Sequence, residues 1–588
     1  MKQSDYFEAA TKHFRDRNFD KARELYESIT LTDPTNTSAL YNLGVTYLRL
    51  ANEDMALQIF KKYAVLKPKD ARAHLQMGII LFKKNNYSAS LTHFKNALKF
   101  NPNIALAHLG LGIIYNNRGN TALAKKHLKK ALELNPHLNS AYEHLYLISS
   151  KLCDWENLQK YEKILDKVST EGIKNGSSHV ETPFVNIGRI MDSSVNLTHA
   201  KFWSKTISSN IKELPAIQLR KRSTKDRIKV GYLSSDFRNH PIGQLVADIF
   251  KYHDRKNFEV FTYSYGRDDK SEIRESIKKH SEHFKDLSIY EHRAVAEMIQ
   301  KDDIDILVDL VGYTGFSVPD ITAYKPAPIQ INYLGYPGTM GAPYYDYIIA
   351  DKIVIPPSDA KYYSEKVLYL PNCYQFYSTQ KIANKKFSKK DFKLPEDLFI
   401  FASFNTAWKI RQEDFDTWIR ILKRVPKSSL WLYCPEPLAQ KNLQNHFKKA
   451  GLSPSRLIFA TKLPRPEHLA RIGLADLVLD TFIYNGHTTT SDCLWAGVPV
   501  ITLQGSHFAS RVASSILKAV DLSSLITSTK KEYEDLAVSL AGSPKKLKTI
   551  RESLNKNRNT SPLFNPKESM KEIEKIYKEI WKNYLKNH

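Results

Sequence analysis

Cysteine is scarce. The 588-residue chain holds four, Cys153, Cys373, Cys434 and Cys493, with no C-x-x-C pair and no histidine at metal-ligand spacing from them. That scarcity excludes a disulfide framework and a cysteine-built zinc site, and it fits a reducing compartment. Long hydrophobic runs are missing too. No stretch of about 18 uncharged apolar residues occurs, so a membrane-spanning helix is not expected. The N-terminal segment MKQSDYFEAATKHFRDRNF is charged throughout and lacks the apolar core of a signal peptide. The expectation is a soluble, cytoplasmic protein. Acidic residues are outnumbered, 62 against 87 Lys and Arg, which leaves a net charge of +25. Such an excess favours acidic partners, whether nucleic acid, anionic membrane or a phosphate-bearing substrate. Lysine is spread along the chain with no nucleic-acid module beside it, which argues against nucleic acid.

What is present is first of all a period. Pro34, Pro68, Pro102 and Pro136 recur every 34 residues, as do Gly44, Gly78 and Gly112. Ala22, Ala56 and Ala124 follow the same period, with Ser90 in the third copy, and Tyr26, Phe60 and Phe94 follow it with Leu128 next. Each unit reads as two amphipathic helices, crossing at small residues and ended by Pro. The pattern resembles the tetratricopeptide repeat, whose units must stack to bury their apolar faces. A degenerate fifth unit, Ser140 to Ser169, reads as a cap, giving an α-solenoid over residues 1–170. Its groove is expected to take peptides, and a bare helical spacer is the alternative. The polar stretch EGIKNGSSHVETPF opens a connecting region assigned to residues 171–224.

From there the texture changes. RIKVGYLSSDF, FEVFTYSY and IDILVDLVGYT are short β-branched or aromatic runs separated by helix-length segments. That alternation predicts a parallel, doubly wound α/β lobe over residues 225–394. A second series, FIFASFN, SLWLYC, RLIFA, LVLDTF and PVITL, predicts a second lobe over 395–545, with KLPEDL as the hinge. Two Rossmann-like lobes put a ligand cleft between the C-terminal ends of their strands. The basic tail, 546–588, reads as a packed C-terminal helix with a solvated face rather than a membrane-binding one.

Five segments carry candidate chemistry. In DTFIYNGHTTTSDCLWAGVPVIT, Thr488, Thr489 and Thr490 follow Gly486 and His487 at a helix start, where free N–H groups and the helix dipole attract phosphate. N-capping would explain one threonine, not three. Asp492, four residues after Thr488, is placed to accept from a ribose diol. Lys409, after FASFN, can neutralise a leaving diphosphate. His468 and Arg471 share one helix face and could hold a base and its ribose-phosphate, although in isolation such a segment is more often a plain surface helix. His240, between a strand and a helix, suits a general base or a hydroxyl-orienting role, and a satisfied structural histidine is the alternative. Gly335 and Pro337 lie in a rigid loop that lets backbone approach a ligand closely.

The order of the motifs narrows the choice. Repeats followed by CDW, SSDFRNHP, KPAPIQ, LGYPGT, DYII, YSEK, FN with KI, LKRVPKSSLWL, LADLVLDT, NGHTT, LWAGVP and ASR resemble the O-GlcNAc transferase family over essentially the whole chain. These are family 41 glycosyltransferases with a two-lobed, Rossmann-like fold of the B type. The resemblance implies an inverting transfer of a sugar from a nucleotide donor to a Ser or Thr hydroxyl of a protein. It implies no metal and no other cofactor. Lys409 matches the diphosphate-contacting lysine, and His487, Thr488 and Thr489 match the phosphate-binding residues. Asp492 matches the ribose-binding aspartate, and His468 and Arg471 match residues flanking the uridine. His240 matches the active-site histidine, and Gly335 and Pro337 match the loop under the donor sugar. The proton acceptor is either His240 or the donor phosphate.

Departures bear on the sugar. Asp305 and Tyr484 stand where animal members carry His and Cys, and they resemble the SPINDLY-type O-fucosyltransferases, which use GDP-fucose. His487 and Asp492 instead fit the UDP-using branch, while Thr406 fits neither. The balance implies UDP-GlcNAc, with GDP-fucose and a catalytically inactive repeat scaffold as the alternatives. The asparagine ladder that lines the groove in long-array members is incomplete here, with Asn42, Gln76 and Gly110 at its positions. About 20 residues separate Tyr377 from Phe399, a compact form that resembles bacterial members and lacks the inserted domain of the animal enzymes.

Overall fold

The computed structural model describes residues 3–50, 52–176, 181–209, 211, 226–315 and 317–587. The chain divides into two compact units, Met1–Ile148 and Ser149–His588. In the first, helices pair as Gln3–Arg15 with Phe19–Thr32, Thr37–Arg49 with Glu53–Leu66, Ala71–Lys83 with Tyr87–Phe100, and Ala105–Asn117 with Thr121–Leu134. The period is enforced by contact. A Cβ on Gly44 would lie 2.8 Å from Phe60, one on Gly78 2.7 Å from Phe94, and one on Gly112 2.6 Å from Leu128. Ser90 replaces alanine because its hydroxyl donates to the Gly78 carbonyl at 2.7 Å. Asn18, Asn52, Asn86 and Asn120, also 34 apart, cap the second helix of each pair by accepting a backbone N–H. That capping signal is itself part of the repeat.

Two expected boundaries move. The period predicts an array over 1–170, but the first compact unit ends at Ile148, and the helix Trp155–Asn175 belongs to the second. Ser150, Cys153 and Trp155 spend their polar groups on the segment 407–410, which ties this stretch to the α/β body. The supposed connecting region 171–224 is structured as far as it is described. The helices Pro183–Ile187 and Ser193–Ser209 follow a buried Glu181–Arg189 ion pair at 2.7 Å, and residues 212–225 lie outside the described residues. Its polar composition misled because those polar groups satisfy one another inside the fold.

The second unit carries two parallel sheets. The first contains β1 (Ile228–Ser234), β2 (Phe258–Ser264), β3 (His283–Asp286), β4 (Ile306–Asp309), β5 (Ile329–Asn332), β6 (Tyr347–Ala350) and β7 (Lys366–Tyr369). Their order is β3-β2-β1-β4-β5-β6-β7, with Val230 level with Val260 on one side and Ile306 on the other. The second contains β8 (Phe399–Ser403), β9 (Ser428–Tyr433), β10 (Leu457–Ala460), β11 (Leu477–Leu479), β12 (Val500–Leu503) and β13 (Ile526–Thr527), in the order β10-β9-β8-β11-β12-β13. The strand order reverses between β1 and β4 and again between β8 and β11, the switch points at which such sheets open a crevice. The expected doubly wound lobes are therefore present.

The tail does more than end the second lobe. Its last helix, Pro566–Asn587, returns to the first: Glu574 accepts from His253 Nδ1 at 2.9 Å and from the Asp254 N–H at 2.7 Å. Met570, Ile573 and Tyr577 are buried on that face. Among the described residues no helix is long and apolar enough to cross a membrane.

Candidate active site

Lys409, His487, Thr488, Thr489 and Asp492 lie at the β8/β11 switch point and His240 follows β1, whereas Gly335 and Pro337 follow β5 and His468 and Arg471 follow β10. β8 leads through Asn405 to the one-turn 3-10 segment Ala407–Lys409, and β11 leads through Asp480 to the helix Thr488–Trp495. Asp480 joins the two turns. Its buried carboxylate accepts from Asn405 Nδ2 at 3.0 Å, from the Gly486 N–H at 2.7 Å and from the Thr502 hydroxyl at 2.8 Å. Burial pushes Asp480 up to about 6, against those three donors and the charge of Lys409. This aspartate stands inside the motifs LADLVLDT and DTFIYNGHTTT, but nothing in the sequence gave it a role.

Lys409 crosses to the second turn, where its Nζ donates to the Asn485 carbonyl at 2.7 Å and sits 4.5 Å above the Tyr484 ring. Burial pulls this lysine down to about 8, while Asp480 holds it up. Tyr484 also packs against Trp408 at 5.1 Å and lies flat on His487, with 4.8 Å between centroids. Desolvation, reinforced by Lys409, holds His487 well below the ordinary histidine range, so it is neutral. The ring bonds the Ala509 backbone, and its buried Nε2 has no hydrogen-bond partner among the described residues. Thr488 and Thr489, both half-buried, open the helix, and no side chain caps its first N–H groups. An ammonium and an open helix N-terminus thus flank the neutral His487, a set that suits an anion.

Asp492 lies one turn further along and is 5% exposed. Arg465 grips it with Nη2 at 2.6 Å and Nη1 at 3.0 Å, and the Tyr377 hydroxyl donates at 2.7 Å. Burial still raises its carboxyl above the usual range. Arg465 and Tyr377 were not singled out in the sequence. Tyr377 arrives from the first lobe, and Gln380 extends the link: it accepts from Arg465 Nε at 3.0 Å and donates to the Gln244 carbonyl at 3.1 Å.

His468 and Arg471 share a face as predicted, with different roles. Arg471 is 1% exposed; its Nε donates to His468 Nδ1 at 3.1 Å and its Nη1 to the Thr461 carbonyl. It orients His468, whose ring packs edge-on to Phe404 at 5.5 Å. Burial holds His468 down to about 3, so the imidazole is neutral and carries its proton on Nε2.

His240 follows β1 and precedes the helix Pro241–Val246, where its Nδ1 accepts from the Ile242 N–H at 3.3 Å. Burial lowers its pKa. Asp236 Oδ2 is 3.4 Å from the same nitrogen. Gly335 answers to backbone packing: a Cβ there would sit 2.0 Å from the Leu310 carbonyl oxygen. Pro337 is buried in the same loop. Asp305, offered as a guide to the sugar, precedes β4 and therefore lies at the N-terminal edge of the sheet, away from the cleft. It accepts from the Lys229 N–H at 2.8 Å, a sheet-edge contact. Of the ladder positions, Asn42 donates to the Tyr26 hydroxyl at 3.2 Å and Gly110 accommodates Phe94, so both serve packing within the array.

Comparison with known proteins agrees with this layout. The profile of glycosyl transferase family 41 matches residues 152–385 and 380–573, and tetratricopeptide repeat profiles match 7–71, 78–119 and 105–138. The probable UDP-N-acetylglucosamine–peptide N-acetylglucosaminyltransferase SEC of Arabidopsis thaliana is 42% identical over 60% of this chain and 37% of its own length. The Caenorhabditis elegans UDP-N-acetylglucosamine–peptide N-acetylglucosaminyltransferase is 28% identical over 74% of this chain and 48% of its own. A tomato (Solanum lycopersicum) SPINDLY, carrying the same probable activity in its name, is 32% identical over 60% of this chain and 39% of its own. The chain thus spans half or less of these relatives. A mutant of Thermobaculum terrenum O-GlcNAc transferase has the same fold, with a TM-score of 0.68 over 94% of this chain and 98% of its own at 24% identity.

Proposed function

This chain belongs to glycosyl transferase family 41, and on that premise we propose that it transfers GlcNAc from UDP-GlcNAc to Ser or Thr hydroxyls of cytoplasmic proteins, with inversion. The carrying observation is the anion-accepting set between β8 and β11: Lys409 and the uncapped start of Thr488–Trp495. The donor diphosphate would lie there, and its charge would grow as the sugar departs. Lys409 and the helix N-terminus would meet that charge in place, which allows a metal-independent reaction. The neutral His468, oriented by Arg471, suits the uracil edge, and Asp492, braced by Arg465 and Tyr377, suits the ribose.

His240 is assigned to orienting the acceptor hydroxyl. With Nδ1 accepting from Ile242, its Nε2 holds a proton and donates, which leaves a donor phosphate oxygen to take the acceptor's proton. Protein acceptors are proposed to reach the site by way of the repeat groove. The fucosyl alternative loses one of its two supports, since Asp305 serves the sheet edge, and it keeps Tyr484 beside Lys409.

Calorimetric titration with UDP and with GDP, followed by transfer assays with UDP-GlcNAc and GDP-fucose, tests the assignment. UDP binding with GlcNAc transfer is expected. Preference for GDP with fucose transfer would overturn the donor, and absence of binding to either would favour an inactive scaffold.

A further inference from the structure

The repeat unit contains a feature that carbohydrate transfer does not use. His74 and His93 face each other with their Nδ1 atoms 3.1 Å apart, and His108 and His127 do so at 2.9 Å. The two pairs are related by the 34-residue period, one residue from each helix of a repeat. One repeat earlier the same two positions hold Leu40 and Ile59, which are buried and apolar. Both members therefore change together, Leu with Ile and His with His, as expected where the pair is the functional unit.

We propose that each histidine pair chelates a divalent late first-row metal ion, Ni2+, Cu2+ or Zn2+, giving two such sites per chain. Two ligands about 2.0–2.1 Å from one ion, at cis or tetrahedral angles, stand about 2.9–3.4 Å apart. Both observed separations fall in that span. Imidazole nitrogen suits these ions. The tautomer is already set in one ring: His108 directs Nε2 at the Pro102 carbonyl, 3.1 Å away, so Nε2–H is donated and Nδ1 is left bare to accept from His127 Nδ1, which must move its proton to Nε2 for both to ligate. A ligating histidine is held in this way by a backbone carbonyl behind it. All four rings are half-buried, which leaves a face for incoming solvent and metal. No third His, Cys, Asp or Glu joins either pair among the described residues. Water would complete the coordination, so binding is exchangeable and pins the two helices of a repeat to each other rather than building a closed structural site. Compact sequence spacing could not reveal it, because each pair is 19 residues apart.

The test is calorimetric titration of the full chain with NiCl2 in a non-coordinating buffer at pH 7, with CuCl2 followed by electron paramagnetic resonance. The controls carry the chain's own alternative, His74→Leu with His93→Ile, and likewise His108→Leu with His127→Ile, which preserves the packing of the second repeat. Wild type should bind two ions with two nitrogens on each copper, either double variant one, and the quadruple variant neither. Loss should come with unchanged circular dichroism. Equal binding in wild type and quadruple variant would assign the metal to other surface histidines and overturn the proposal. No binding by the wild type would leave each pair as a plain imidazole–imidazole hydrogen bond.

Discussion

Lys409→Met removes the ammonium and keeps an unbranched stem beside Tyr484 and Trp408. At about 8, Lys409 is roughly nine-tenths protonated at pH 7, so the wild-type charge is present when the donor binds. The ammonium has three N–H groups and gives one to Asn485, leaving two for diphosphate oxygens. Losing one preorganised donor of this kind costs about 2.7–4 kcal/mol of barrier, or 10²–10³ in kcat. A Coulomb check agrees: unit charges about 4 Å apart at an effective dielectric of about 20 attract by about 4 kcal/mol. Part of the effect passes through Asp480, which loses its neighbouring cation and should rise further toward neutrality. The assay is steady-state transfer from radiolabelled UDP-GlcNAc to a protein acceptor, with kcat and KM determined separately and circular dichroism confirming the fold. The fall should lie mainly in kcat, because charge on the diphosphate grows toward the transition state. A kcat within threefold of wild type would refute the assignment of Lys409 to the leaving group.

Three further outcomes follow from the same geometry. UDP affinity should weaken as pH rises through about 8, where Lys409 loses its proton, with no added step from His487 or His468, which are already neutral there; a Lys409→Met titration that shows the same loss of affinity through about 8 would sink this. Ser150 and Trp155 donate to the Trp408 and Ile410 carbonyls on either side of Lys409, at 2.6 and 3.1 Å. Ser150→Ala with Trp155→Phe should therefore cost about 1–3 kcal/mol in urea unfolding and lower kcat along with it, and an unchanged midpoint would show that these bonds do not hold the turn. Gly335→Ala must move the Leu310 carbonyl, so the variant should lose several degrees of Tm; a wild-type melting curve with lost activity would instead make Gly335 a ligand-facing residue.

Much of the architecture was legible from the chain because each signal was local. Gly44, Gly78 and Gly112 repeat with their aromatic or leucine partners, and the apolar runs that became β1, β2, β4 and β8–β12 stand apart from their polar surroundings. The turn before Thr488–Trp495 was equally visible, since three threonines after Gly-His exceed the needs of a cap. The connecting region was misjudged because Glu181 and Arg189 are polar by composition and buried by pairing. Such pairing has no sequence spacing of its own.

The sequence by itself determined the period of the repeats, the strands of both lobes and the residue types gathered at the cleft, because hydrophobic patterning and backbone preference act over a few residues. Only the tertiary structure decided which of those residues cooperate. It set Lys409 against Asn485, 76 residues away, and Arg465 against Asp492. It placed Asp305 at the sheet edge and turned Gly335 toward Leu310. It also brought His74 to His93. Those contacts arise where packed helices and parallel strands bring distant segments together, and a charge or a ring acquires its function from the neighbour that packing supplies.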